Sequence, residues 1–107
     1  GTDWPALATL YEVLLSLTGS PVAAINRAVA IVRLDGPRAG LDALEAIGDA
    51  RLADYQPFWA ARADLAAQLG DRAQATAAYD RAIGLERDEA VRRFLQAERE
   101  ALDEGGV

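Results

Sequence analysis

The sequence predicts an all-α fold of six helices in antiparallel pairs, and three observations carry that expectation. Apolar residues recur at three- and four-residue spacing between Pro, Gly and Asp punctuation, which is the period of a helix and not of a strand. Residues 59–85 hold Ala63, Gly70, Ala75, Tyr79 and Ala82 in one register. In that register small side chains let two helices approach and Tyr79 fills the space between them. Finally, adding 35 positions maps Ala24 to Trp59, Ala28 to Ala63, Leu34 to Leu69, Gly40 to Ala75, Leu44 to Tyr79 and Ile47 to Ala82. Small stays small and apolar stays apolar, the mark of an internal repeat.

Each element has its own start and stop. Asp3 before Trp4-Pro5 is an N-cap with Pro near the first helical position, and Leu7, Leu10, Tyr11 and Leu14 then repeat at helical spacing until Thr18-Gly19. This predicts a helix over about 3–17. Ser20-Pro21 repeats the start signal for a helix over 20–34, with Ile25, Ala28, Val29 and Val32 as its inward face until Asp35-Gly36-Pro37 breaks it. A shorter third helix over 37–47 turns Leu41, Leu44 and Ile47 inward. Residues 48–55 lack a period and read as a loop with room for one helical turn. Helix four spans about 56–69, Gly70-Asp71 turns the chain, and helix five spans about 72–86. Asp88 caps a sixth helix over 88–103 that carries Val91, Phe94, Leu95 and Leu102, and the tail from 103 to 107 is expected to fray.

The repeat spacing is close to the roughly 34 residues of tetratricopeptide proteins, so the expected architecture is a six-helix tetratricopeptide-like array, a right-handed superhelix of helix pairs in a single domain. The later pair departs from that repeat's pattern, with Arg87 at the usual terminal Pro and Ala66 at the usual aromatic of the first helix. Helix one lacks a preceding partner and reads as the second half of a repeat. Helix six reads as a terminal cap whose outer face is made polar by Arg92, Glu98, Arg99 and Glu100.

Composition narrows the function. Cys, His and Met are absent, which excludes disulfides, thiolate zinc sites, Cys nucleophiles, Ser–His–Asp catalysis and HExxH-type metal sites. Seventeen acidic residues against eleven basic ones, all Arg, leave a net charge of −6. That balance argues against direct nucleic-acid binding. No apolar run approaches the roughly 18 to 20 residues of a membrane span, and no leader opens the chain, so a cytoplasmic protein or a piece of one is expected. Asp88-Glu89 and Glu98-Glu100 are carboxylate pairs without a metal-ligand set or a phosphate loop beside them, and read as helix-end charges and solvated faces. The expectation is a protein that is not an enzyme and needs no cofactor or metal.

The strings Thr2-Asp3-Trp4, Ser20-Pro21, Asn26-Arg27-Ala28-Val29-Ala30, Asp35-Gly36-Pro37, Ala61-Arg62-Ala63-Asp64-Leu65 and Arg92-Arg93-Phe94-Leu95 occur in this order. Together they resemble the carboxy-terminal tetratricopeptide-like extension of a bacterial family of extracytoplasmic-function (ECF) RNA polymerase sigma factors. The resemblance covers nearly the whole chain. It implies a carboxy-terminal piece of a longer protein, with polymerase-binding and promoter-reading domains upstream and a regulatory or activity-supporting role in transcription initiation. The implied partners are proteins: the other sigma-factor domains, the RNA polymerase core or a signalling partner. Two other readings remain open at this point, a free-standing adaptor that binds a peptide and a domain that senses a small molecule.

Candidate interaction residues follow from the helix register. Asn26, Arg33, Asp64 and Gln68 are expected to line the concave face with which such arrays hold a peptide or a domain. The alternative is that the arginines of this region pair with carboxylates such as Glu12, Asp42 or Asp64. Arg27 and Arg62 occupy equivalent positions of the two repeats. Trp4, Tyr11, Trp59 and Tyr79 are expected to be core packing, because aromatics supply the largest buried area in an alanine-rich bundle.

Overall fold

Helix-start chemistry is satisfied wherever the sequence offers it. The computed structural model describes residues 1–48 and 50–105, and among these the regular elements are six α-helices, one short 3-10 helix and no strand. Helix α1 is Trp4–Thr18, α2 Pro21–Asp35, α3 Pro37–Glu45, α4 Gln56–Gln68, α5 Arg72–Leu85 and α6 Glu89–Gly105, with the 3-10 helix at Ala50–Asp54 between α3 and α4. The carboxylate of Asp3 accepts from the Ala6 amide at 3.0 Å and that of Asp71 from the Gln74 amide at 3.1 Å. The Ser20 hydroxyl accepts from Ala23, and Asp88 Oδ1 accepts from Ala90 and Val91. Each of these uses one of the amides that a helix start leaves without an intrahelical partner. Gly19 and Gly70 close α1 and the α4–α5 turn with φ of 64° and 76°, a left-handed conformation that glycine adopts without steric cost.

The chain forms two compact units, Gly1–Arg51 and Leu52–Val107. In the first, α2 packs against both α1 and α3. Its buried positions are Ala23, Ala24, Ile25, Ala28 and Ala30, whereas Val29 faces out. The inward arc of α2 is therefore not the expected Ile25–Ala28–Val29–Val32 stripe. A helix with neighbours on two sides buries a wider arc, and here small residues occupy it. Leu41 and Leu44 of α3 are each about 1% exposed, a burial that contributes roughly 1.5–3 kcal/mol per side chain. Gly40 of α3 lies so close to Val32 that a side chain there would collide with it. Helix α3 stops at Glu45, two residues before the expected end, and the Ile47 amide donates a hydrogen bond to the Leu44 carbonyl at 3.1 Å.

In the second unit α5 packs against α4 and α6. Ala63, Ala78, Tyr79, Ala82 and Leu95 form the buried cluster, with Trp59, Ala60, Ile83 and Leu102 packed around it. Helix α6 differs from its expected layout. Its inward stripe is Arg92, Leu95, Arg99 and Leu102, all buried or half-buried, while Phe94 stands 62% exposed. The half-buried Arg99 meets Asp80 of α5 through its Nε at 2.6 Å, an ion pair that links α6 to α5 at the edge of this packing. The helix runs on through Gly105 where fraying was expected from 103, and Gly106 and Val107 of that expected tail lie outside the described residues, as does Asp49 of the expected loop.

The two hairpins α2–α3 and α4–α5 share one spacing. Pro21 and Gln56, and likewise Pro37 and Arg72, start their helices 35 positions apart. Ala28 and Ala63, the equivalent small residues of the two first helices, are both essentially inaccessible.

Candidate interaction surface

The outward faces of α2 and α4 carry the sequence-predicted residues. Arg33 sits in the last turn of α2 and is exposed, its guanidinium 5.4 Å from the ring centroid of Trp4 on α1. An exposed cation over an indole gains a fraction of a kcal/mol up to about 1 kcal/mol, enough to orient the side chain without sequestering its charge. Two turns earlier, Asn26 is half-buried and lines an open groove of about 320 Å³ with Tyr11, Leu14, Thr18 and Val22. Asn26 and Arg33 thus share one side of α2, next to α1. In the second unit, Gln68 Nε2 donates to Asp64 Oδ2 at 3.0 Å across one turn of α4, and both side chains are exposed. Asp64 therefore keeps a charge facing solvent, with an amide beside it.

These positions are equivalent in the repeat. Arg33 and Gln68 are 35 apart, as are Val29 and Asp64, and all four are exposed. Each first helix thus presents the same outward ridge, one apolar and basic, the other acidic and amide-bearing.

Asp42, one of the carboxylates expected to pair, meets an arginine of its own helix, and other arginines meet Asp54 and Asp103. Arg38 meets Asp42 at 3.9 Å, Arg72 meets Asp103 at 3.8 Å and Arg81 meets Asp54 at 3.2 Å. Such exposed pairs contribute little to stability. Arg62 and Arg81 lie 5.5 and 5.9 Å from the Trp59 ring centroid, and Phe58 meets that ring edge-on at 5.2 Å between centroids. The indole Nε1 and Arg81 both donate to the Ala53 carbonyl, at 3.0 and 2.8 Å. Trp59 therefore ties the 3-10 helix to α4 and α5, a role that its place in a helical stripe did not announce. Of the four aromatics expected in the core, Tyr79 is buried and Trp4, Tyr11 and Trp59 are half-buried. Arg27, the equivalent of Arg62, instead lines a cavity of about 290 Å³ with Leu15, Pro21, Ala24 and Ile47. Ala24 stands where the other repeat has Trp59.

The Tyr79 hydroxyl titrates above its ordinary value because burial disfavours the phenolate, and the charges of Asp64 and Glu98 push in the same direction. Among the described residues no three His, Cys, Asp or Glu side chains converge as a metal-binding group, and no helix is long and apolar enough to cross a membrane. The arrangement offers contact surface: a cation, two amides, a carboxylate and adjoining apolar groups.

Among known proteins, an uncharacterized protein of Rhizobium meliloti (strain 1021) is 43% identical over 84 residues, which are 78% of this chain and 20% of that protein. The chain thus spans about a fifth of the length of this relative. No family model matches the chain, and no solved structure matches it.

Proposed function

We propose that this chain is a tetratricopeptide-like carboxy-terminal domain of an ECF-type RNA polymerase sigma factor, acting in transcription initiation in the cytoplasm through protein contacts. The observation that carries the architectural part is the shared spacing of the two hairpins, whose helices start 35 positions apart with small residues buried at equivalent places. The transcriptional part rests on the ordered strings from Thr2-Asp3-Trp4 to Arg92-Arg93-Phe94-Leu95. In the Rhizobium relative, too, the matched segment is one part of a longer chain. The outward ridges of α2 and α4, each taken by itself, are the contact surfaces of this reading for a sigma core domain, RNA polymerase or a signalling protein, with Asn26 and Arg33 on the first and Asp64 and Gln68 on the second.

Charge reversal tests the ridges. Arg33→Glu and Asp64→Arg, placed singly in the full-length protein, should each weaken partner capture and lower transcription from the cognate promoter, because a reversed rim charge alters association and its salt dependence. Circular dichroism and thermal melting of both variants must match the parent. Full transcription by well-folded variants removes the ridges from this reading. Full transcription by a parent lacking residues 1–107 removes the transcriptional role from this reading.

A further inference from the structure

Helix α1 buries no residue, although its composition is the most apolar of the six. Leu10, Val13, Leu14 and Leu17 lie on one side of it at i, i+3, i+4 and i+7, and are 50%, 49%, 38% and 77% exposed. Leu7, Tyr11 and Leu15 are half-buried, and they lie on a neighbouring arc of the helix.

The second unit contains the same helix in a completed setting. Alignment of the two capping aspartates, Asp3 and Asp71, also aligns Tyr11 with Tyr79 and places Leu7, Leu10 and Leu14 on Ala75, Ala78 and Ala82. Both caps are built alike, each aspartate accepting from the amide three residues on. In α5 all four matched positions are buried. Ala78, Tyr79 and Ala82 are buried in one cluster with Ala63, Trp59 and Ala60 of α4, the 13-residue helix that precedes α5, and with Leu95 and Leu102 of α6. In α1 the matched Leu10 and Leu14 stand open, and they are larger and more apolar than the alanines they replace.

We infer that the open face of α1 is the seat of an amphipathic helix from the same polypeptide, formed by the residues immediately N-terminal to Gly1, which covers Leu10 and Leu14 as α4, together with α6, covers Ala78 and Ala82. Carrying the α4–α5 spacing back to α1 gives that helix about 13 residues, the length of α4, and ends it next to Gly1. In the Rhizobium relative the matched segment is a fifth of the protein, so most of that chain lies outside it. The face is then an internal contact and not a port for a foreign partner. The covering helix is argued from the repeat register, while the presence of chain before Gly1 rests on the carboxy-terminal placement proposed above; neither depends on the ridges of α2 and α4.

Because the chain has no cysteine, single thiols report the contact. Leu10→Cys and Ser16→Cys are each placed in residues 1–107 and in the full-length protein, with upstream cysteines replaced by serine, and maleimide labelling rates are compared. Ser16 is exposed on a different side of α1 and serves as the control. The expected result is at least tenfold slower labelling of Leu10→Cys in the full-length protein, unchanged labelling of Ser16→Cys, and a monomeric mass for the full-length protein by light scattering. As a second measure, amides of α1 should exchange more slowly in the unsubstituted full-length protein than in residues 1–107. Equal labelling rates together with equal exchange overturn the inference. So does protection of Leu10→Cys already present in residues 1–107 at a dimeric mass, which makes a second copy the occupant. Transcription assays of the ridge variants do not depend on any of these outcomes.

Discussion

Gly40 on α3 and Val32 on α2 meet where a methyl group would overlap the valine side chain, while 35 positions on the same two places hold Ala75 and Ala67. One repeat spends its volume on the first helix, and the other divides it evenly. Gly40→Ala gains about 1 kcal/mol of helix propensity but forces a β-branched neighbour with few rotamers to move, an overpacking cost of about 1–3 kcal/mol. The melting midpoint should fall. Adding Val32→Ala to Gly40→Ala should recover part of that loss, a coupling of at least about 0.5 kcal/mol in a double-mutant cycle. Tyr79 gives a second residue-scale prediction. Its hydroxyl has a folded-state pKa above the ordinary 10.0, so the unfolded chain releases the proton first as pH rises. Stability is full below pH 10 and declines from there toward the higher folded-state value. Denaturant midpoints measured from pH 9 upward should fall for the parent, and Tyr79→Phe should flatten the decline.

At the scale of the element, the hairpins stand on small residues. Ala63 and Ala75 have no accessible surface, so Ala63→Leu or Ala75→Leu should each destabilise the chain by about 1–3 kcal/mol, as added methylenes push helices apart. Unchanged melting of both variants would contradict the register. Helix starts were legible because they depend on local chemistry: Asp3, Ser20, Asp71 and Asp88 each accept from backbone amides two or three residues on. Facing was less legible, because it depends on how many neighbours a helix has. The outward turn of Val29 reflects α2 lying against two helices, and Arg92 and Arg99 share the inward stripe of α6 with Leu95 and Leu102. No hydrophobicity pattern announces an arginine facing inward. Of the candidate residues Arg33, Asp64 and Gln68 are exposed helix positions and Asn26 is half-buried, whereas the pairing of Asp64 with Gln68 and of Arg33 with Trp4 came only from the three-dimensional placement.

At the scale of the whole molecule, charge decides what the chain avoids. The net charge is −6, and Arg38, Arg72, Arg81 and Arg99 already face aspartates. Binding to duplex DNA draws its strength from cations that displace condensed counterions. The isolated chain should therefore give no shift of promoter DNA in a mobility assay at moderate salt. Sub-micromolar, salt-sensitive binding would show that an arginine cluster escapes the surrounding acids.

The two tryptophans fall one to each compact unit. Trp4 lies against Arg33 in the first, and Trp59 lies against Arg62 and Arg81 in the second. Every unit thus carries a fluorophore of its own, held beside a cation whose departure on unfolding changes the emission. A Trp4→Phe protein glows only from the second unit and a Trp59→Phe protein only from the first, so a pair of melting curves reads the cooperativity of the chain without any label being attached.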